Sequence, residues 1–383
     1  MVNNQDLRIL IFSITYLPFV GGAEMAVKET TGRLNDFNFD LITARLDKKL
    51  PKFEKMGNLN IYRVGFGWLL DKYLFPWLAY FQAKKLHQKR NYQIVQAIMA
   101  FYAGLAALFF KWKYPQVKYL LTMQSGDSDF FIWLRTWFWY PLYKKIYTKP
   151  DYIQAISRFL LVRAQRYGYR GEGEIVPNGV DIEKFKKQDS QIIQSLKSEL
   201  KIGPDEKIIL TVSRLVKKNG VDDLIKAGKL LDFPFKVIII GKGSAEKKLK
   251  RLAKEIKDKV IFLGHIQYND LPKYYSIADV FVRPSLSEGF GNVFLEALAC
   301  GTPIIGTATG GSAVCVFFEN KAGLCCEVNN PRHVAEKIKI SVSNDMSKSV
   351  QNGQEMIKER YTWNIIAKKT EKIYQKLFFK KNV

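Results

Sequence analysis

Short aliphatic or β-branched runs alternate with longer segments of helical period along all 383 residues. In the first half, Ile9–Ile14, Leu41–Thr43, Ile94–Ile98, Tyr119–Thr122, Tyr152–Ile156 and Glu174–Val176 read as strands. In the second half the same reading falls on Ile208–Val212, Lys236–Ile240, Val260–Leu263, Val280–Val282 and Pro303–Gly306. Helix-period segments such as Val221–Leu231, Ser244–Ile256 and Asn292–Ala299 lie between them. The strand runs are continuously apolar rather than alternating, which predicts parallel sheets covered on both faces. A βαβα series of this length predicts two doubly wound α/β units, with ligands at the carboxyl ends of the strands. The Val176–Phe185 stretch contains Val-Pro-Asn-Gly-Val-Asp, a turn by local chemistry: Pro177 fixes φ, and Asn178 and Gly179 tolerate positive φ. The expected division is therefore a first domain over 1–180 and a second over 181–360. Residues 361–383 follow as a closing helix with a basic face, packed back on the first domain. The polar stretch Lys186–Ser198 is the one linker-like segment.

Apolar residues make up 47% of the chain, enough for a core in each half. The four cysteines, Cys300, Cys315, Cys325 and Cys326, have no metal or disulfide spacing and read as reduced thiols. Met1–Arg8 lacks leader architecture, and the longest uncharged apolar run, Ala97–Phe110, is too short to span a bilayer. A cytoplasmic protein is expected. The net charge is +24, and a field of that sign gathers phosphates, nucleic acid or acidic lipid headgroups. The excess is spread, however, with 26 basic and 15 acidic residues up to Phe185 and 34 and 21 after it. That spread, and the lack of a recognised nucleic-acid module, argue against a nucleic-acid partner.

Four loops carry candidate chemistry. Glu288-Gly-Phe-Gly-Asn-Val-Phe-Leu-Glu296 runs from a strand through a glycine turn into a helix near Asn292. Gly289 and Gly291 admit a ligand to the backbone, and the first helix amides at Asn292 and Val293 suit phosphate. Glu288 and Glu296 bracket that point, and sugar hydroxyls are their natural partners. In Thr211-Val-Ser-Arg-Leu-Val-Lys-Lys-Asn-Gly220, Arg214 and Lys218 can supply the charge that a diphosphate requires. Phe19-Val-Gly-Gly-Ala-Glu24 places Gly21-Gly22 at a helix start, and Thr307-Ala-Thr-Gly-Gly311 follows another strand. Lysine and arginine would take a divalent cation's place on the diphosphate, so no metal is expected.

The Glu-x7-Glu spacing of Glu288–Glu296, with Pro-Ser upstream and Gly-Phe-Gly inside, resembles the signature of glycosyltransferase family 4, retaining enzymes of the GT-B fold. Gly21-Gly22-Ala-Glu24, Ile156-Ser157, Pro177-Asn-Gly-Val-Asp181, Ser213-Arg-Leu-Val216, Ala278-Asp279, Gly310-Gly311 and Tyr361-Thr-Trp363 extend the likeness over nearly the whole chain. The resemblance implies two Rossmann-like domains facing each other across a cleft. It implies Arg214 and Lys218 on the donor diphosphate, Glu288 on the donor sugar and Glu296 on the ribose. Gly21-Gly22 would close over donor and acceptor. Gln124, Phe290, Gly291, Asn292, Gly310 and Gly311 would complete the substrate contacts. Three positions depart from the pattern. Asn219 stands where the family has lysine, Gln124 lies where many members have histidine, and Ala313-Val314 replaces a Pro-Glu pair. Lysine at 219 would restore the pattern and is expected to be tolerated.

The function implied is retaining, metal-independent transfer of a hexose-type sugar from a nucleotide donor, such as a UDP- or GDP-sugar, to a glycan or lipid-linked acceptor. Surface glycan or glycolipid synthesis is the setting this implies, and no cofactor is needed. The alternatives are a GT-B protein that binds nucleotide sugars without transfer, and a basic nucleic-acid-associated protein. Two aromatic-basic segments, Trp68–Arg90 and Phe130–Lys149, read either as core helices or as a surface for an anionic membrane. The second alternative would make the protein peripheral on the inner face of the plasma membrane.

Overall fold

The structure, a computed structural model, describes residues 7–379 apart from the Val314 side chain. The chain start and the final residues of the closing segment thus lie outside the described residues. The chain divides into two compact units, one running to Asn178 and resuming at Trp363, the other Gly179–Thr362.

The first unit holds β1 (Arg8–Phe12), β2 (Asn38–Ala44), β3 (Phe53–Met56), β4 (Leu59–Val64), β5 (Ile94–Ile98), β6 (Lys118–Met123), β7 (Tyr152–Ala155) and β8 (Glu172–Ile175). Its helices are α1 (Gly22–Thr31), α2 (Asp71–Arg90), α3 (Tyr102–Lys113), α4 (Asp129–Thr136), α5 (Tyr140–Thr148) and α6 (Arg158–Arg166). The strand order is β3-β4-β2-β1-β5-β6-β7-β8, parallel except that β3 runs antiparallel to β4. Central strands such as Arg8-Ile-Leu-Ile-Phe12 are buried on both sides after their first residue, as helices on both faces require. The helix Trp363–Phe379 completes this core although it follows the other unit in sequence. Its apolar stripe of Trp363, Ile366, Ala367, Ile373, Tyr374 and Leu377 is buried. The Tyr374 hydroxyl donates to Gln96 Oε1 at 2.6 Å, and its ring lies 5.9 Å from Phe37 and 6.1 Å from Phe39.

The second unit holds β9 (Lys207–Val212), β10 (Phe235–Ile240), β11 (Val260–Gly264), β12 (Val280–Arg283), β13 (Ile304–Thr307) and β14 (Leu324–Cys326). Its helices are α7 (Ser190–Glu199), α8 (Val221–Gly228), α9 (Glu246–Leu252), α10 (Leu271–Ile277), α11 (Asn292–Ala299), α12 (Ala313–Glu319), α13 (Pro331–Ser343) and α14 (Ser347–Arg360). The sheet is parallel, in the order β11-β10-β9-β12-β13-β14.

Three strands escape the apolar-run reading. β3 and β4 form an edge hairpin in which Leu59, Ile61 and Arg63 point in and their neighbours stay half-exposed, so no continuous run marks them. β14 is only Leu-Cys-Cys. The expected linker is mostly helix: Ser190–Glu199 is α7, anchored by buried Leu196. The expected helix Ser244–Ile256 breaks into α9 and a 3-10 segment, with Ile256 non-helical at φ −125° and ψ 30°.

Each sheet has a point where the winding reverses. In the first unit it lies between β1 and β5, in the second between β9 and β12. Strand-end crevices of doubly wound folds form there. In the second unit, β9 and β12 pair only at Ile209–Val280 and Leu210–Phe281, so the strands part before their carboxyl ends.

Candidate functional site

The loop after β9 carries Arg214 and Lys218, and the loop after β12 carries Glu288, Phe290 and Gly291 and leads into α11 at Asn292. They meet where the two strands diverge. Arg214 is exposed, Lys218 is half-buried in the 3-10 turn Lys217–Asn219, and Lys217 is exposed. The Lys218 carbonyl accepts from the Leu286 amide at 2.7 Å, which ties one loop to the other. Gly220 turns the chain into α8 at φ +66°, and a Cβ there would overlap the Pro284 carbonyl oxygen. Only glycine meets both demands.

A polar knot fixes the crevice. Arg283, at the end of β12, places Nη2 2.9 Å from Glu288 Oε2 and 3.3 Å from Asn219 Oδ1, to which it donates. Its Nε donates to Ser285 Oγ at 3.1 Å. Ser285 Oγ in turn donates to Glu288 Oε2 at 3.4 Å, and the Gly289 amide donates to Glu288 Oε1 at 3.1 Å. Asn219 is 3% exposed, and its Nδ2 donates to the Arg214 carbonyl at 2.6 Å. The position that departs from the family pattern therefore holds the backbone of the loop that carries Arg214. Sequence reasoning passed over Arg283 and Ser285, although an arginine ending a buried strand at a winding reversal is a readable signal.

Gly311, after β13, packs so closely on this loop that a Cβ would stand 2.5 Å from the Glu288 carbonyl oxygen and 2.6 Å from that of Gly289. Gly310 is exposed beside it. The Ala313 amide donates to the Phe290 carbonyl at 2.7 Å. Phe290 itself turns into the core, its ring 5.8 Å from that of Tyr361, leaving only its backbone on the crevice side. Gly291, the N-cap of α11, offers no side chain to the first turn, and the positive end of a helix attracts anions. The assembly can thus present cations, helix amides and a carboxylate to one phosphorylated sugar.

Glu296 lies one turn inside α11 and is 6% exposed. Tyr275 Oη donates to Glu296 Oε2 at 2.8 Å. Burial pushes the Glu296 carboxyl up to about 7, against the opposing pull of the Tyr275 hydrogen bond and the Arg283 charge.

In the first unit, Gly21 and Gly22 are exposed at the start of α1, and buried Glu24 behind them accepts from the Thr15 hydroxyl. Gln124, after β6, forms a reciprocal amide pair with Asn178: Nε2 to Oδ1 at 3.1 Å and Nδ2 to Oε1 at 2.9 Å. Gln124 also lines a cavity of ≈ 190 Å³ with Met99, Tyr102, Arg135 and Arg163. That cavity adjoins the β1–β5 reversal through Ile14 and Met99. Among the described residues, no three His, Cys, Asp or Glu side chains converge as a metal site.

Comparison with known proteins bears on this geometry. The Glycosyltransferase Family 4 profile matches residues 20–184 and the profile Glycosyl transferases group 1 matches residues 193–360. The alpha-monoglucosyldiacylglycerol synthase of Acholeplasma laidlawii is 26% identical over 98% of this chain and 98% of its own. Sucrose-phosphate synthase from Thermosynechococcus elongatus superposes with a TM-score of 0.84 at 21% identity, over 97% of this chain and 99% of its own. Anabaena HepE in complex with UDP-glucose gives 0.78 at 18% identity, over 96% and 99%. The fold is GT-B, two parallel-sheet α/β domains.

Two outcomes follow from the knot and the buried carboxylate. Asn219→Lys, expected from the family pattern to be tolerated, should instead lower stability by about 3 kcal/mol, because it buries a cation and removes both amide hydrogen bonds. Chemical denaturation measures this, and an unchanged midpoint would restore the earlier expectation. The raised Glu296 pKa means that the folded chain holds a proton the unfolded chain releases. Its stabilising contribution is complete below the ordinary value of 4.5 and is lost as pH rises through about 7. Wild type should therefore lose stability between pH 5 and pH 8 by up to about 3 kcal/mol relative to Glu296→Gln. Parallel pH profiles for the two proteins would contradict the assignment.

Proposed function

The chain is a glycosyltransferase of the family 4 type, and we propose from that premise that it moves a hexose-type sugar from a nucleotide-diphosphate donor with retention and without a metal. The observation that carries this reading is the convergence of Arg214, Lys218, Glu288 and the start of α11 at the β9–β12 winding reversal. Cleaving the donor's anomeric C–O bond leaves negative charge on the diphosphate and positive charge on the sugar. Arg214, Lys218 and the α11 amides stabilise the former, as preorganised donors do at a developing oxyanion. Glu288, held by Arg283 and the Gly289 amide, stands toward the sugar hydroxyls. Glu296 accepts from the ribose, exchanging part of its Tyr275 contact for the ligand. The acceptor hydroxyl attacks from the face the diphosphate leaves and passes its proton to the departing phosphate oxygen, so configuration is retained without a covalent sugar–enzyme adduct.

The donor is a UDP- or GDP-sugar; HepE, of the same fold, is described with UDP-glucose. The acceptor is lipid-linked and the protein works at the cytoplasmic face of the membrane, a reading supported by the full-length similarity to a monoglucosyldiacylglycerol synthase. No described helix is long and apolar enough to cross a bilayer. Gly21-Gly22 and Gln124 act on the acceptor side.

Glu288→Gln keeps the side chain's size but removes the charge, and its one amide oxygen can accept from Arg283 or from the Gly289 amide but not from both; it should reduce transfer by at least about 10²-fold with nucleotide affinity retained. Lys218→Ala should cost on the order of 10²-fold in turnover, and Lys217→Ala little. Activity should persist in excess chelator. Single-turnover assays with donor panels measure all four. Wild-type rates in Glu288→Gln, or magnesium rescue after chelation, would overturn the corresponding assignment.

A further inference from the structure

In the first unit, two helices turn apolar stripes toward solvent. On α4 and the 3-10 turn that follows it, Phe130, Trp133, Leu134, Trp137 and Phe138 recur at the spacing of one helical face. They are exposed, Phe130 at 71% and Phe138 at 70%, while Ile132 and Thr136 face inward. On α2 the stripe is Tyr73, Leu74, Trp77 and Phe81, opposite the buried Phe75, Ala79 and Ala83. An amphipathic helix ordinarily buries its one apolar face. These helices carry a second, and exposed aromatic area of this extent marks an interaction surface.

The stripes are joined. The Tyr73 ring lies 5.7 Å from Tyr102, Tyr102 4.9 Å from Phe101, and Phe101 5.7 Å from Trp139. A guanidinium, that of Arg135, sits 4.7 Å over Phe101 and 5.3 Å over Phe131.

Charge selects the partner. Between Phe66 and Lys118 the one acidic residue is Asp71, whose carboxylate is buried and accepts from the Phe66, Gly67 and Trp68 amides at 2.7, 2.7 and 3.0 Å. Between Phe130 and Pro150 there is none, whereas Lys144, Lys145 and Lys149 are exposed. A second copy of this face would meet it with the same positive charge. Aromatic side chains that take up a polar–apolar boundary, with exposed lysines on the helix that follows, match a bilayer with anionic headgroups.

We infer that the exposed α2 and α4–α5 aromatic face of the first unit docks on an anionic membrane surface. The aromatic side chains enter the headgroup boundary and the lysines pair with lipid phosphates. The inference rests on the reading of the acceptor as lipid-linked, since docking would bring the enzyme to its acceptor.

Flotation is measured without donor or acceptor, so its failure is distinct from a failure of transfer. Wild-type protein should float with phosphatidylcholine vesicles containing phosphatidylglycerol at low salt, and sink with phosphatidylcholine alone or at high salt. The Trp137→Ser, Phe138→Ser double variant should partition at least about tenfold more weakly, the loss expected when apolar insertion is removed. Lys144→Gln, Lys145→Gln should weaken binding about fivefold per lysine. All four positions are at the surface, so melting temperature and nucleotide binding should match wild type. The inference is overturned if wild type stays in the aqueous fraction with both vesicles. It is equally overturned if sedimentation shows a dimer that Trp137→Ser, Phe138→Ser dissolves while flotation is unchanged.

Discussion

The arrangement of the second unit depends on how the gap between β9 and β12 is filled. Two parallel strands that share only two residue pairs separate toward their carboxyl ends; each stays paired there with its outer neighbour, β10 or β13, and no ladder joins the two loops across the gap. Arg283, Asn219, Ser285 and Glu288 take over that task with directional contacts, and the Gly220–Pro284 and Gly311–Glu288 approaches bring the backbones together. Such contacts are strong because the groups are largely withdrawn from water, and each is costly to break for the same reason. The Glu288 carboxylate and the loop that carries Arg214 are thus held by one guanidinium.

That coupling gives the electrostatics a direction. Arg283 lies inside and is neutralised by Glu288, while Arg214 is outside it at the exposed edge. Positive charge is therefore left at the rim, where a leaving diphosphate would need it, and the inner carboxylate stands beside its partner. Glu296 is a different case. Burial without a cation in contact lets its proton linger to about neutral pH, so it becomes a full acceptor only when solvent conditions or a ligand favour the charged form.

Much of this was legible in the sequence. Buried parallel strands announce themselves as continuous apolar runs, which is why β5, β9 and β10 were placed within a residue of their ends. The β3–β4 hairpin was not legible because an edge strand with one covered face alternates and mixes in polar residues. α7 was mistaken for a linker because one buried leucine suffices to dock it. The loops bearing Arg214 and Glu288 were recognisable from glycine and charge placement, but Arg283 was not, because its importance lies in meeting Asn219 from 64 positions away. For the same reason Asn219 looked replaceable by lysine: a motif records a residue's place in the chain and not its burial. The aromatic segments showed the opposite limit. Their composition was plain, but whether a helix turns rings toward core or solvent is decided by which second face its neighbours cover.

The central claim is that the donor nucleotide sits at the β9–β12 reversal. Hydrogen–deuterium exchange of the full chain with and without UDP-glucose or GDP-mannose tests it most directly. The account predicts slowed exchange in residues 213–220 and 284–293 with the donor that binds, and little change at the opposite, amino-terminal ends of the same strands. Binding that protects other segments and leaves both loops exchanging at their free rates would contradict it.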